Sequence, residues 1–277
     1  MLDCFLDGLI DTIKVFPFLL VSFYIIEVLE HKINSNKRLE SSGKYGPILG
    51  SILGIIPQCG IASIATNLYV TGIITLGTLI SVFLSTSDEM IPILLSEKVS
   101  LKLIFIILGI KLGVGLVSGL LIDLIRPCKL HRHYELCEEE HCHCEEHKFI
   151  SAFKHTLNIS LFILVINVLL NIVFNYGLND YLSNLLLKDS IFSPIVTSLI
   201  GLIPNCASSI VITKLYLASS ISFGSMIAGL LTNSGIALVV LFRTNKNCKE
   251  NISIILLTYL IGVVAGIILN VLKILVL

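Results

Sequence analysis

Apolar tracts follow one another from residue 9 to residue 276. Several are long enough to cross a bilayer, which takes about 20 residues as a helix. Inside lipid the backbone has no water to bond, so such tracts satisfy their own N–H and C=O groups by folding as helices. Only 14% of the 277 residues are charged, where a soluble domain usually carries about 25%. The expected class is an all-α polytopic membrane protein with little room for a soluble domain. The formal net charge is zero, which gives no electrostatic case for a nucleic-acid partner. The first seven residues carry Asp3 and Asp7 and no base. A secretory signal begins basic, so the first tract is expected to stay as a helix.

The tracts are not equal. Residues 9–29, 72–95, 103–125, 156–174, 222–242 and 252–276 are span-sized, whereas 47–57, 61–71, 194–204 and 208–218 are about half that length. The short ones flank two similar breaks, Pro57-Gln58-Cys59-Gly60 and Pro204-Asn205-Cys206-Ala207, which lie 147 residues apart. At that shift residues 47–87 align without a gap to 194–234, and fifteen of the 41 pairs are identical. Gly115/Gly262 and Gly119/Gly266 keep the register further on. Internal duplication of this kind marks repeat architecture. Three regions follow: a first membrane repeat (1–125), a hydrophilic loop (126–154) and a second membrane repeat (155–277).

Charge in the loops orients the halves. Loop 31–46 holds Lys32, Lys37, Arg38 and Lys44, whereas the corresponding connection 175–193 holds only Lys188. Positive charge marks the cytoplasmic side, so the two connections face opposite sides and the repeats are expected to be inverted. Each half then crosses an odd number of times, about five segments, with broken or re-entrant helices at Pro57 and Pro204. The N-terminus falls outside and loop 126–154 in the cytoplasm.

Three constellations carry chemistry. In the two breaks, proline removes a helical N–H and clashes with the carbonyl four residues back. Broken helices at mid-membrane commonly line substrate cavities, their carbonyl ends suited to cations and their N-terminal ends to anions. Gln58 and Asn205 supply amides there, and Cys59 and Cys206 soft sulfur. The bland alternative is a kink with a small thiol filling a gap. The second constellation is Ser87, Asp88 and Glu89, in an apolar tract where adjacent carboxylates are costly unless they meet a cavity or a partner. They suit a cation or a proton. The other half reads Asn233-Ser234-Gly235-Ile236 at the same place, so the acids belong to one half. The bland alternative is a solvated membrane edge. The third is the central loop, with His131, His133, Cys137, His141, Cys142, His143, Cys144 and His147. These are ligands for zinc and softer metals, and the tract is too irregular for a disulfide framework. Its bland reading is a linker with adventitious affinity.

Weaker signals are Asp11, Glu27 and His155 as proton-relay groups, and Asn167 and Asn171 as hydrogen-bonding residues between helices. Lys111, inside a span, is expected either to snorkel outward or to meet an acid.

Taken together, Pro57-Gln58-Cys59-Gly60, Ser85-Thr86-Ser87-Asp88-Glu89, the loop ending Cys144-Glu145-Glu146-His147, His155-Thr156, Gly201 to Cys206 and Thr232-Asn233-Ser234-Gly235 resemble the ten-transmembrane heavy-metal exporter family. Its members are described as arsenic efflux proteins or manganese transporters. The resemblance covers nearly the whole chain and implies ten short or full segments, five per half. The soft ligands of the loop suit zinc-like metals or arsenite better than manganese.

The expectation is therefore a secondary-active transporter of the cell (inner) membrane, exporting a heavy-metal or metalloid ion (Mn, Zn-like or arsenite) with proton coupling. It would not be an enzyme, and no Walker motif is present for ATP hydrolysis. No resident cofactor is required beyond a transported or regulatory metal ion. The partners are that ion, the bilayer and, optionally, further copies of the chain. The alternatives are a permease for an anion or a small organic compound such as an organoarsenical, and a non-transporting membrane metal sensor.

Overall fold

The computed structural model describes residues 45–56, 59–87, 90–125 and 192–272, with isolated positions within 9–24 and 153–168. Ten helices are delimited among the described residues. In the first half these are α1 (Gly46–Gly54), α2 (Cys59–Val70), α3 (Leu76–Ser85), α4 (Met90–Ser96) and α5 (Leu101–Ile125). In the second they are α6 (Ser193–Gly201), α7 (Cys206–Leu217), α8 (Phe223–Thr232), α9 (Ala237–Thr244) and α10 (Cys248–Val271). No strand occurs among the described residues. A shift of 147 carries the bounds of α1, α2 and α3 onto those of α6, α7 and α8, residue for residue.

Packing repeats as well. α3 lies against α1 and α5, and α8 against α6 and α10. The start of each central helix is held in the same way. Thr75 caps α3, accepting from the Thr78 N–H and donating its hydroxyl to Asp123 Oδ2 at 2.6 Å, while Gly77 N–H donates to Asp123 Oδ1 at 2.8 Å. Ser222 caps α8 and donates to Asn270 Oδ1 at 2.8 Å. Asp123 and Asn270 are the same position in the two repeats, one charged and one neutral. Asp123→Ala is expected to destabilise the purified protein by about 1.5–3 kcal/mol and Asn270→Ala by about 1 kcal/mol, because bonds to a charged acceptor are the stronger. Thermal unfolding in detergent measures both, and equal losses would refute the ranking.

Two sites show how closely the helices approach. Ser81 Oγ donates to the carbonyls of Pro47 (2.7 Å) and Gly115 (3.1 Å), joining α1, α3 and α5. Thr197 Oγ1 donates to Ser225 O at 2.8 Å and Thr232 Oγ1 to Ser198 O at 2.9 Å, joining α6 and α8. In lipid, small residues and hydroxyls replace the hydrophobic effect as the glue between helices.

By length and composition four stretches suffice to cross a membrane: 76–96, 101–125, 223–244 and 248–271. Their most apolar windows are 75% and 94% buried for the two broken stretches, α3–α4 and α8–α9, against 33% and 28% for the continuous α5 and α10. The broken pair therefore forms the centre, and the continuous pair turns Phe105, Leu124 and Val271 outward, as lipid-facing staves should.

The halves also interlock. α2 packs on α9, α7 on α4, and α3 on α8. Tyr69 Oη, at the end of α2, donates to Glu250 Oε1 in the first turn of α10 at 2.5 Å. Leu19 from the first half and Ile159 and Ile163 from the second meet α9 through Ile236, Val239 and Val240 in a smaller apolar cluster.

The tract 222–242 is of spanning length, as expected, and is divided within: α8 ends at Thr232 and α9 begins at Ala237. Asn233 leaves the helix with extended backbone (φ −80°, ψ 99°), and Gly235 takes φ 55°, a region glycine enters without steric penalty.

Candidate functional site

The two central helices are interrupted at equivalent places, 86–87 and 233–234. At the first break Thr86 turns away from the helix while its Oγ1 donates back to Val82 O at 3.0 Å, and Ser87 Oγ donates to Ser85 O at 3.1 Å. Asp88 and Glu89 lie outside the described residues. At the second break Asn233 Oδ1 accepts from the Gly235 N–H at 3.0 Å, which closes a small turn across the gap. Asn233 is 2% exposed and Ser234 fully buried. The Ser234 hydroxyl has no hydrogen-bond partner among the described residues. Buried hydroxyls are nearly always paired, and an orphan marks strain or the place of a missing water or ion.

The proline motifs give the second part. α1 ends at Gly54, and α2 opens on Cys59; α6 ends at Gly201, and α7 opens on Cys206. Both cysteines are thus the first residue of a 12-residue helix. Asn205 is 1% exposed, and its carbonyl accepts from Ser208 Oγ at 2.7 Å, so the turn before α7 is closed by a hydroxyl of its own first turn. Gln58 lies outside the described residues, as do the side chains of Cys59 and Cys206. What the structure does bring together is helices. α2, opened by the first proline motif, packs on α9 beyond the second half's break. α7, opened by the second, packs on α4 beyond the first half's break.

Lys111 was a weak signal in the sequence. It is 1% exposed, so it does not snorkel. Its Nζ donates to Leu230 O in the last turn of α8 at 2.5 Å. The capping residues Thr75, Asp123, Ser222 and Asn270 were not singled out from sequence. Their only signal was a polar residue ending a span in each half at the same repeat position.

The loop ligands His131, His133, Cys137, His141, Cys142, His143, Cys144 and His147 lie outside the described residues, as do Asp11, Glu27, His155, Asn167 and Asn171. Among the described residues no three His, Cys, Asp or Glu side chains converge. No curated protein and no solved structure matches the chain. One protein family does: the model described as "Putative, 10TM heavy-metal exporter" matches residues 2–177 and 149–275. With helices of spanning length and matches that reach from residue 2 to residue 275, this multi-pass membrane protein belongs to that 10TM heavy-metal exporter family.

Proposed function

We propose that the chain is a secondary-active transporter that exports a metal or metalloid ion across the cell (inner) membrane. The observation that carries this reading is the pair of interruptions inside the most buried spans, with the Ser234 hydroxyl at one of them left without a partner among the described residues. Interrupted helices free carbonyls and N–H groups at mid-membrane, where such groups are tolerated only around a cavity or a bound ion. The transport site is formed by Ser87, Asp88, Glu89, Asn233 and Ser234 at one pair of breaks and by Gln58, Cys59, Asn205 and Cys206 at the other.

Each residue has a role set by its chemistry. The carboxylates of Asp88 and Glu89 neutralise the cation or exchange it for protons, with Asp11, Glu27 and His155 as relay groups. The amides and hydroxyls replace part of the ion's hydration. The thiols select soft metals. The two repeats are inverted, with twelve Lys/Arg in the inside loops against three outside, and they rock around the shared site. The cytoplasmic loop gathers the ion through His131, His133, Cys137, His141, Cys142, His143, Cys144 and His147 before export.

A second reading rests on a different observation. α2 and α7 open at the proline motifs, and their N-terminal ends favour negative charge. That suits an anion or an organoarsenical.

A strain lacking the gene, exposed to Mn, Zn, Cd, Co, Ni, Cu and arsenite, separates the two. Export predicts hypersensitivity to at least one ion and a several-fold rise in its intracellular content, reversed by the wild-type gene. If growth and content stay unchanged across the panel, metal export is wrong and organoarsenicals are the next substrates to test.

A further inference from the structure

Lys111 lies ten residues into the 25-residue α5, about 15 Å from its start at 1.5 Å per residue. That is mid-depth in a bilayer core about 30 Å thick. Its ammonium is nevertheless buried and aimed at a carbonyl of another helix in the other half. Leu230 is third from the end of α8. The last four carbonyls of a helix have no helical N–H to accept from, and together they form the negative end of the macrodipole. One of them, Gly229 O, accepts from Thr232 Oγ1 at 3.0 Å. Leu230 O accepts from Lys111. The ammonium is thus seated where interrupted transporter helices hold a free monovalent cation.

The repeat shows that this is an acquisition of one half. The position equivalent to Lys111 is Thr258, which is also fully buried but donates within its own helix, to Ile254 O at 2.9 Å. A neutral residue therefore satisfies the fold at that place. The carboxylates Asp88 and Glu89 are confined to the same half as the lysine, with Gly235 and Ile236 opposite.

We propose that Lys111 is a tethered cation: its ammonium fills a monovalent-cation site at the carbonyl end of α8 and so frees the protein from any need for Na+ or K+. The assignment rests on the transporter reading for its purpose, but the site can be tested without transport. Purified full-length protein is compared in N-methyl-D-glucamine chloride, NaCl and KCl at equal ionic strength. Wild type should unfold at the same temperature in all three. Lys111→Met and Lys111→Thr, the latter copying Thr258, should melt lower in N-methyl-D-glucamine and recover by at least about 4 °C in Na+ or K+. They should also bind 22Na+ or 86Rb+ where wild type does not. Lys111→Arg keeps the tether and should behave as wild type.

Neutral variants that bind neither ion and melt alike in all three salts would overturn the proposal. So would neutral variants that fail to fold in every salt, or an arginine variant that gains the same cation dependence. In vesicles, metal flux by the neutral variants should fall roughly tenfold to a hundredfold without Na+ or K+, the range for losing one hydrogen bond from a charged donor, and return when the ion is added. Wild-type protein that moves no metal would remove the transporter reading and leave the binding result standing.

Discussion

Vesicles carrying Asp88→Asn or Glu89→Gln protein should lose proton-driven metal flux by roughly a hundredfold or more, the scale of removing a positioned proton-transfer group. Both substitutions keep shape and hydrogen-bonding capacity and remove only the charge and the titratable proton. The competing explanation is structural. The two residues immediately precede Met90, the first residue of α4, where acids are favoured by the helix dipole and where Asp is a good N-cap. Asn caps a helix about as well as Asp. A capping role therefore predicts a nearly unchanged melting temperature and unchanged flux for Asp88→Asn. A transport role predicts the unchanged melting temperature and no flux. The second half supplies an internal control, since Gly235 and Ile236 stand at the same places without a carboxylate and α9 still begins at Ala237. Retained flux in both variants would place cation handling elsewhere, first at the thiols of Cys59 and Cys206.

The duplication made much of this fold legible. Pro47 and Pro194, Gly54 and Gly201, Gly77 and Gly224 recur in register, and each falls at a helix end or a close contact. Such residues are chosen by backbone geometry, so their spacing survives when the apolar residues between them have drifted. The half-length pieces around Pro57 and Pro204 were legible for the same reason. The second break was not. Asn, Ser and Gly are all tolerated inside membrane helices, and Asn233-Ser234-Gly235 has no charge to betray it, unlike Asp88-Glu89. The caps were hidden differently. Thr75 and Asp123 are 48 residues apart in sequence, as are Ser222 and Asn270. A polar residue at the end of a span reads as an interfacial anchor until its partner is known.

The candidate site was legible in its residue types and not in its wiring. Buried serine, asparagine and lysine inside apolar tracts announce a polar interior. Which of them is satisfied depends on neighbours from the other repeat. Lys111 illustrates this. Its sequence context offers a snorkelling path along α5 or an acid partner, and the carbonyl it reaches belongs to α8, in the other repeat.

Gly119→Leu and Gly266→Leu should abolish assembly, seen as aggregation on size-exclusion chromatography and loss of a cooperative melt, whereas Gly109→Leu and Gly113→Leu on the same α5 should be tolerated. A Cβ at Gly119 would lie 2.6 Å from Gly77 O, 2.9 Å from Ser81 Cβ and 3.0 Å from Pro47 Cβ. At Gly266 it would lie 2.5 Å from Ala228 Cβ, 2.7 Å from Gly224 O and 3.2 Å from Pro194 Cβ. These neighbours are backbone atoms and short side chains, which have no torsion by which to retreat. The helices must separate instead. Separation strains the Ser81 hydroxyl's bonds to α1 and α5 and withdraws Asp123 from the cap of α3. Overpacking alone typically costs about 1–3 kcal/mol, and the lost hydrogen bonds add to it. A Cβ at Gly109 or Gly113 would have no described atom within 4 Å beyond its own stretch of helix, so a leucine there enters open space beside the lipid-facing helix. It also gains helix propensity of about 0.8–1 kcal/mol over glycine. Monodisperse Gly119→Leu protein with an unchanged melt would mean that α3 and α5 do not cross backbone to backbone, and the arrangement of the broken central helices would have to be redrawn.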